Sequence, residues 1–395
     1  MTHSLSKAQS DLGQTNHSSL GHDSKANGFE TNGFEGNQLV GLEQSSTNQP
    51  AKIVDRNTAW QKPLAIILAL SLAASLPLIA TDYWLSAILT PFLILALAGL
   101  GQNILTGYSG LLSLGSAAFM AVGAFATYNL NLRLPQLPLL VSLMLGGGIA
   151  ALVGVVAGLP SFRIKGFYLI VSTLALQFFV LWFFTQFGWF SNYSNSGVIS
   201  APALTIFGWN FDSVAGRYLL TLALVTALTY SAYRLLHTRL GRNFQTVRDM
   251  ETAAATSGIP IFTTKLWAFA MSSFYLGIAG SLWAFTYLGT VEPNGFDLTR
   301  SFQILFIVLI GGLGRLAGSY FGAAFIVLFP LLLGQVFRLI SGDAVDGAVL
   351  ENIQKMVFGG LIIWFLIKEP EGLARLWQRF YDWAIRKLRP SSFSN

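Results

Sequence analysis

The chain has 395 residues, of which 53% are hydrophobic and only 11% charged. Apolar side chains at that density would leave broad sticky patches on any water-facing surface, which excludes an ordinary soluble domain and makes lipid the expected solvent. The net charge of +6 does not point to nucleic acid, because the Lys and Arg residues sit in short loops between apolar runs, where they report topology. The absence of cysteine excludes disulfides, thiolate chemistry and Cys-ligated metals. Since His3, His17 and His22 all fall in the N-terminal tail and leave only His237 elsewhere, neither a metal centre, a catalytic histidine nor a cofactor site is expected.

Residues 1–55 are rich in Ser, Asn, Gln, Gly and His and read as a disordered polar tail. Within it NGFE occurs at Asn27–Glu30 and again at Asn32–Glu35, a duplication read as low-complexity drift. A signal peptide is not expected, because the first apolar run begins only after Pro63. Residues 56–369 form the predicted membrane domain. Runs free of charge fall at about 63–81, 84–105, 111–130, 138–159, 166–186, 218–233, 266–289, 301–314, 316–337 and 356–367. Most approach the roughly 20 residues a helix needs to cross a bilayer. The fold class predicted is all-α and polytopic, with about ten transmembrane helices. Eight is the alternative count, since the eighth and tenth runs are short and the third begins with a stretch broken by glycine and serine.

The loop charges orient these spans. Lys52, Arg56 and Lys62 precede the first run, Arg163 and Lys165 separate the fourth and fifth, and Arg234, Arg239, Arg242, Arg248 and Lys265 bracket the loop after the sixth. Counted alternately, all lie on one side, with Lys368, Arg375, Arg379, Arg386, Lys387 and Arg389 after the last run. Both termini are therefore predicted cytoplasmic. Arg133, Arg300 and Arg338 are the exceptions, flanking spans on the far side. That side also receives the long loop from Gly188 to Gly216 and the acid-leaning loops around Glu292, Asp297, Asp343 and Asp346. In residues 370–395, Leu373, Leu376, Trp377, Phe380, Trp383 and Leu388 lie among basic residues, a pattern suited to an amphipathic helix on the cytoplasmic leaflet.

No run holds a charged side chain, whereas proton-driven carriers keep ionisable groups at membrane depth. No phosphate loop and no motif for covalent catalysis occurs either. The chain is thus not read as an enzyme, and a stand-alone carrier or channel is the less favoured alternative. If transport is active, a partner supplies the energy. The loop 237–264 is suited to receive one: a helix is predicted from about Phe244 to Ser257, with Asn243 as N-cap, Gly258 as left-handed terminator and Pro260 beyond. Ala253, Ala254 and Ala255 would give it a low surface, and Arg248, Asp249 and Glu251 polar handholds; a solvated connecting helix is the bland alternative.

Two small-residue segments stand out within the runs. In GQNILTGYSGLLSLGSAAFMAVGAFA, Gly107, Gly110, Gly115 and Gly123 are joined by Ser109, Ser113 and Ser116; in IGGLGRLAGSYFGAAF, Gly311, Gly312 and Gly314 lead to Arg315. Close helix packing explains such residues. The functional reading is a helix break at Gly107, Ser109, Gly110, Ser113 and Gly115, and at Gly311, Gly312 and Gly314, that shows backbone groups to a polar solute along a pathway.

The stretches NILTGYSGLLSLGSAAFMAVGAFA, RIKGFYLIVSTLALQ, GRNFQTVRDMETAAATSGIPIFTTKLWAFAMSSFYLGIAGSL and IVLIGGLGRLAGSYFGAAF, between about residues 100 and 330, resemble the LivM-type permease of ABC importers for branched-chain and other neutral amino acids. The resemblance implies a coupling-helix motif for an ATPase subunit, falling on Glu251, Ala253, Ala254 and Gly258, with Arg242 and Arg248 beside it. The general ABC pattern has Glu directly before the alanines and six residues before the glycine. Here Thr252 intervenes and the separation is seven, an offset read as a trait of the LivM group. The implied partners are a second permease of the LivH type, one or two ABC ATPase subunits and a periplasmic substrate-binding protein, with the chain in the inner membrane. A member of the same family that imports urea or short amides is the alternative.

Overall fold

The structure is a computed structural model that describes residues 71–159, 167–194, 198–202, 204–206, 209–341 and scattered positions between 352 and 363. The polar tail, the start of the first run, most of the tenth and the C-terminal amphipathic segment lie outside the described residues. What is described is all-α apart from short strand pairs.

Helix α1 (Trp84–Tyr108) carries widened π-turns at Trp84–Leu89 and Ile104–Tyr108. The first lies just ahead of Pro91, which lacks the N–H that would close the normal bond, so the preceding turn loosens. After an irregular stretch come α2 (Ser116–Arg133), α3 (Leu139–Gly158) and α4 (Phe167–Gln186). Strands β1 (Ile199–Ser200), β2 (Thr205–Ile206) and β3 (Trp209–Asn210) precede α5 (Val214–Leu236). Two short helices, α6 (Arg239–Asp249) and α7 (Glu251–Thr256), lead into α8 (Ile261–Leu288). Strand β4 (Thr290–Val291), α9 (Leu298–Gly311) and α10 (Leu316–Ser341) follow.

Among the described residues six helices, α1, α3, α4, α5, α8 and α10, are long and apolar enough to cross a membrane. That is fewer than the ten expected, with the first and tenth runs only partly described. Helix α9 has 14 residues, about 21 Å of rise, and α2 has 18 but ends in Asn129, Asn131 and Arg133. The third run starts as backbone rather than helix, because Ser109–Gly115 is irregular and α2 begins only at Ser116.

Helix α8 is the central post, packed against α1, α2 and α3. Glycines let these backbones touch: a Cβ on Gly123 would lie 2.1 Å from the Gly277 carbonyl, and one on Gly280 2.0 Å from that of Met120. With no water to expel between helices in lipid, such close approach supplies the dispersion contacts that hold them. Helix α2 runs parallel to α4, with Phe125 stacked on Phe184 at 4.3 Å and Asn129 donating to the Phe190 carbonyl. At the end opposite α6 and α7, β1 pairs with β4 through Ile199↔Val291, tying the α4–α5 and α8–α9 connections together.

Candidate functional site

The loop after α5 turns sharply, since a side chain at Gly241 would meet the Leu236 carbonyl at 2.2 Å. Helix α6 begins at Arg239, so Asn243 is an interior residue and not the N-cap the sequence suggested. Tertiary burial of Phe244 and Val247, three residues apart on one face, fixes the helix against the body instead. A single helix from Phe244 to Ser257 does not form. Met250 is extended at φ −151° and ψ 97°, dividing α6 from α7. Helix α7 ends with Gly258 at φ +74°, while the Gly258 and Ile259 amides donate back to the carbonyls of Ala255 and Ala254. That is a Schellman closure, which needs a left-handed residue there.

Two polar side chains of this loop reach back to the membrane-spanning body. Arg248 Nη1 donates to the Gly107 carbonyl at 2.7 Å, and its Nε pairs with Asp249 at 2.8 Å. A Cβ on Gly110 would come within 2.8 Å of Arg248 Cγ, and one on Gly314 within 3.1 Å of Nη1. Arg248 therefore sits where both glycine-rich breaks meet. Glu251 accepts from Lys265 Nζ at 2.9 Å, with the lysine side chain only 8% exposed and the glutamate 33%. Both side chains are thus tied to the body, Arg248 while still exposed and Glu251 while partly buried. Of the alanines, Ala254 is buried, while Ala253 and Ala255 are exposed with Thr252, Thr256, Ser257 and Gly258. Arg242 is exposed on α6.

The two breaks are locked by a residue the sequence analysis passed over. Asn103 accepts from the Gly314 amide at 2.9 Å and donates to the Arg315 carbonyl at 2.8 Å. Gly107 is obligatory beside it, since a Cβ there would lie 1.9 Å from Asn103 Oδ1 and 2.4 Å from the Gly314 nitrogen. Gly312 and Gly314 take φ of 111° and 72°, and Gly311 abuts Gly318.

Several backbone amides at the end of the first break and the start of α2 have side-chain partners. The Leu114 amide donates to Thr173, the Gly115 amide to Ser113, the Ala117 amide to Ser301 and the Ala118 amide to Gln177 Oε1. Gln102 joins Thr106, the Ser113 carbonyl and Ser116, and Ser109 bonds the Ile104 carbonyl. The start of α2 is thus capped by α4 and α9. Gln102, Asn103 and Gln177 were visible as polar residues inside apolar runs, and that was their signal. Between α2, α3 and α4 lies a cavity of about 740 Å³ lined by residues such as Val122, Leu152, Val156, Phe179 and Phe183, too apolar to hold a polar solute.

The family described as "Branched-chain amino acid transport system / permease component" matches residues 84–366. The high-affinity branched-chain amino acid transport system permease protein LivM of Escherichia coli is 30% identical over 81% of this chain and 76% of its own length. The probable LivM permease of Methanocaldococcus jannaschii is 25% identical over 73% of this chain and 92% of its own. An autoinducer 2 import system permease, LsrC of Klebsiella pneumoniae, is 30% identical over 52% and 59%. No solved structure matches the chain. Permeases of this kind are transport subunits, not enzymes, and work with an ATPase and a binding protein. With its six apolar helices and its match over residues 84–366, the chain is a multi-pass membrane protein that belongs to the family of branched-chain amino acid transport system permease components.

Proposed function

We propose that this chain is the LivM-like half of an ATP-driven inner-membrane importer for branched-chain or other neutral amino acids. A LivH-type permease forms the other half, an ABC ATPase docks on the cytoplasmic face of α6 and α7, and a periplasmic binding protein hands substrate to the opposite end, including the Gly188–Gly216 loop. Both termini are cytoplasmic in this arrangement.

The observation that carries the proposal is the Arg248 junction. A force applied to α6 and α7 reaches the Gly107 break through one charge-assisted hydrogen bond and the α8 base through the Glu251–Lys265 pair. Coupling needs a physical connection of that kind between the driven surface and the spans. The docking surface is the exposed small-residue face at Thr252, Ala253, Ala255 and Gly258, with Arg242 at its edge, while Ala254 and Glu251 hold that face to the body.

The test is reconstitution with an ABC ATPase, a LivH-type permease and a periplasmic binding protein from the same organism. Replacing Ala253 by Glu should abolish ATPase association while the permease still inserts and pairs, and wild-type complex should take up leucine, isoleucine or valine. Normal ATPase binding by A253E would remove the coupling assignment. Uptake of urea or an amide in place of amino acids would remove the substrate.

A further inference from the structure

Arg300 breaks the positive-inside pattern and has no part in the coupling junction. Arginines drawn into a membrane protein's apolar body take partners there, and its far-side companions have theirs. Arg133 is exposed, lies 3.6 Å from the Trp189 ring centroid and donates to the Trp189 carbonyl. Arg217 pairs with Asp212 at 3.6 Å. Arg300, one turn into α9, is only part-exposed. Its guanidinium lies 4.1 Å from the Trp283 ring centroid and Nη1 donates to Gln303 Oε1 at 2.7 Å.

Two buried donors here are unspent. Arg300 Nε is buried without an acceptor, as is the indole N–H of Trp283, a residue 3% exposed. Among the described residues no carboxylate comes within ion-pair distance of Arg300. The nearest in sequence, Asp297, is exposed and uses Oδ1 to cap α9, accepting from the Arg300 amide at 3.0 Å. A half-desolvated guanidinium with an orphaned N–H gains most from a two-oxygen anion that matches its fork. One turn away, the Asp297 carboxylate offers the complementary charge. A cation-seeking and an anion-seeking group at that separation suit a zwitterion.

We propose that Arg300 and Asp297, at the head of α9 beside Trp283, receive the zwitterionic head of the amino acid at the far-side entrance, Arg300 taking the carboxylate and Asp297 the ammonium group. The proposal rests on the amino-acid reading of the importer and sharpens it, because urea and short amides carry no carboxylate for Arg300.

The complex of this chain with its partner permease and ATPase, in nanodiscs, is titrated with tritiated leucine at millimolar concentration and competed with leucine, leucinamide, which lacks the carboxylate, and 4-methylpentanoate, which lacks the ammonium. Leucine should compete at least tenfold better than either. R300Q should bring leucine down to the level of leucinamide and R300K should preserve the order. D297N, which keeps a capping side chain, should bring leucine down to 4-methylpentanoate. Equal competition in the wild type, or variants that weaken all three ligands alike as a merely structural role would, overturns the proposal. A wild-type complex that imports urea or amides and no amino acid defeats the proposed function instead, and is recognised by uptake from the loaded binding protein.

Discussion

Arg248 and Gly107, 141 residues apart in sequence, are joined by a 2.7 Å hydrogen bond from the guanidinium to the backbone carbonyl. The bond links the short helices of the loop to the end of α1 at the point where α1 stops being helical. Charge-assisted bonds of this kind contribute about 1.5–3 kcal/mol. Arg248→Ala should therefore lower the ratio of solute taken up to ATP hydrolysed by about tenfold or more in proteoliposomes, because about 1.4 kcal/mol of lost connection is already a factor of ten. An unchanged ratio would show that motion reaches the spans by another route.

Glu251 and Lys265 form an asymmetric pair, with the lysine side chain 8% exposed and the glutamate 33%. Removing the carboxylate strands a buried cation, whereas removing the cation leaves a carboxylate that can turn to water. Glu251→Gln should destabilise the permease by about 3 kcal/mol and Lys265→Met by about 1 kcal/mol or less, with the double variant close to Lys265→Met. Thermal unfolding in detergent reads the order. A Lys265→Met protein less stable than Glu251→Gln would contradict it.

Three glycines separate crowding from backbone conformation. Gly107→Ala places a Cβ against Asn103 and Gly314, and overpacking of that kind costs about 1–3 kcal/mol, to which the strained Asn103 bond adds. Gly258 has open space but φ of +74°, so Gly258→Ala should cost about 1 kcal/mol through the backbone alone. Gly148 has nothing within 4 Å and no positive φ, and Gly148→Ala should be neutral. The midpoints of thermal unfolding should rank in that order, and a Gly107→Ala protein as stable as Gly148→Ala would refute the close approach.

Gln177 serves three neighbours at once, accepting from the Ala118 amide at 2.6 Å and the Ser301 hydroxyl at 3.1 Å and donating to the Phe296 carbonyl at 2.8 Å. Gln177→Leu takes the partner from the Ala118 amide, the Phe296 carbonyl and the Ser301 hydroxyl, at about 2 kcal/mol or more. The expected result is a lower unfolding temperature and faster hydrogen exchange at the start of α2. Wild-type exchange there would show that α2 does not depend on α4 for its cap.

The membrane class and the positions of most spans were legible because burial in lipid is written as local composition: a run without charge is a helix that must satisfy its own backbone. Gly258 was legible for the same kind of reason, since a glycine after an alanine-rich turn and before Pro260 has local work to do. Asn243 misled as an N-cap because the start of α6 is set by burying Phe244 and Val247, which no local signal reports.

What the sequence by itself determined is that the chain crosses a bilayer repeatedly, carries no charge within its apolar runs and bears a small-residue loop fit for a partner. Only the tertiary structure decided that Arg248 bonds the Gly107 carbonyl and Glu251 pairs with Lys265, that Ala254 is buried between exposed alanines, and that Asn103 clamps a turn 211 residues away. Hydropathy and capping act over a few residues and are readable along the chain. Hydrogen bonds between distant segments depend on which helix faces which, and that is settled by glycine contacts such as Gly123 against Gly277, whose partners no single stretch of sequence names.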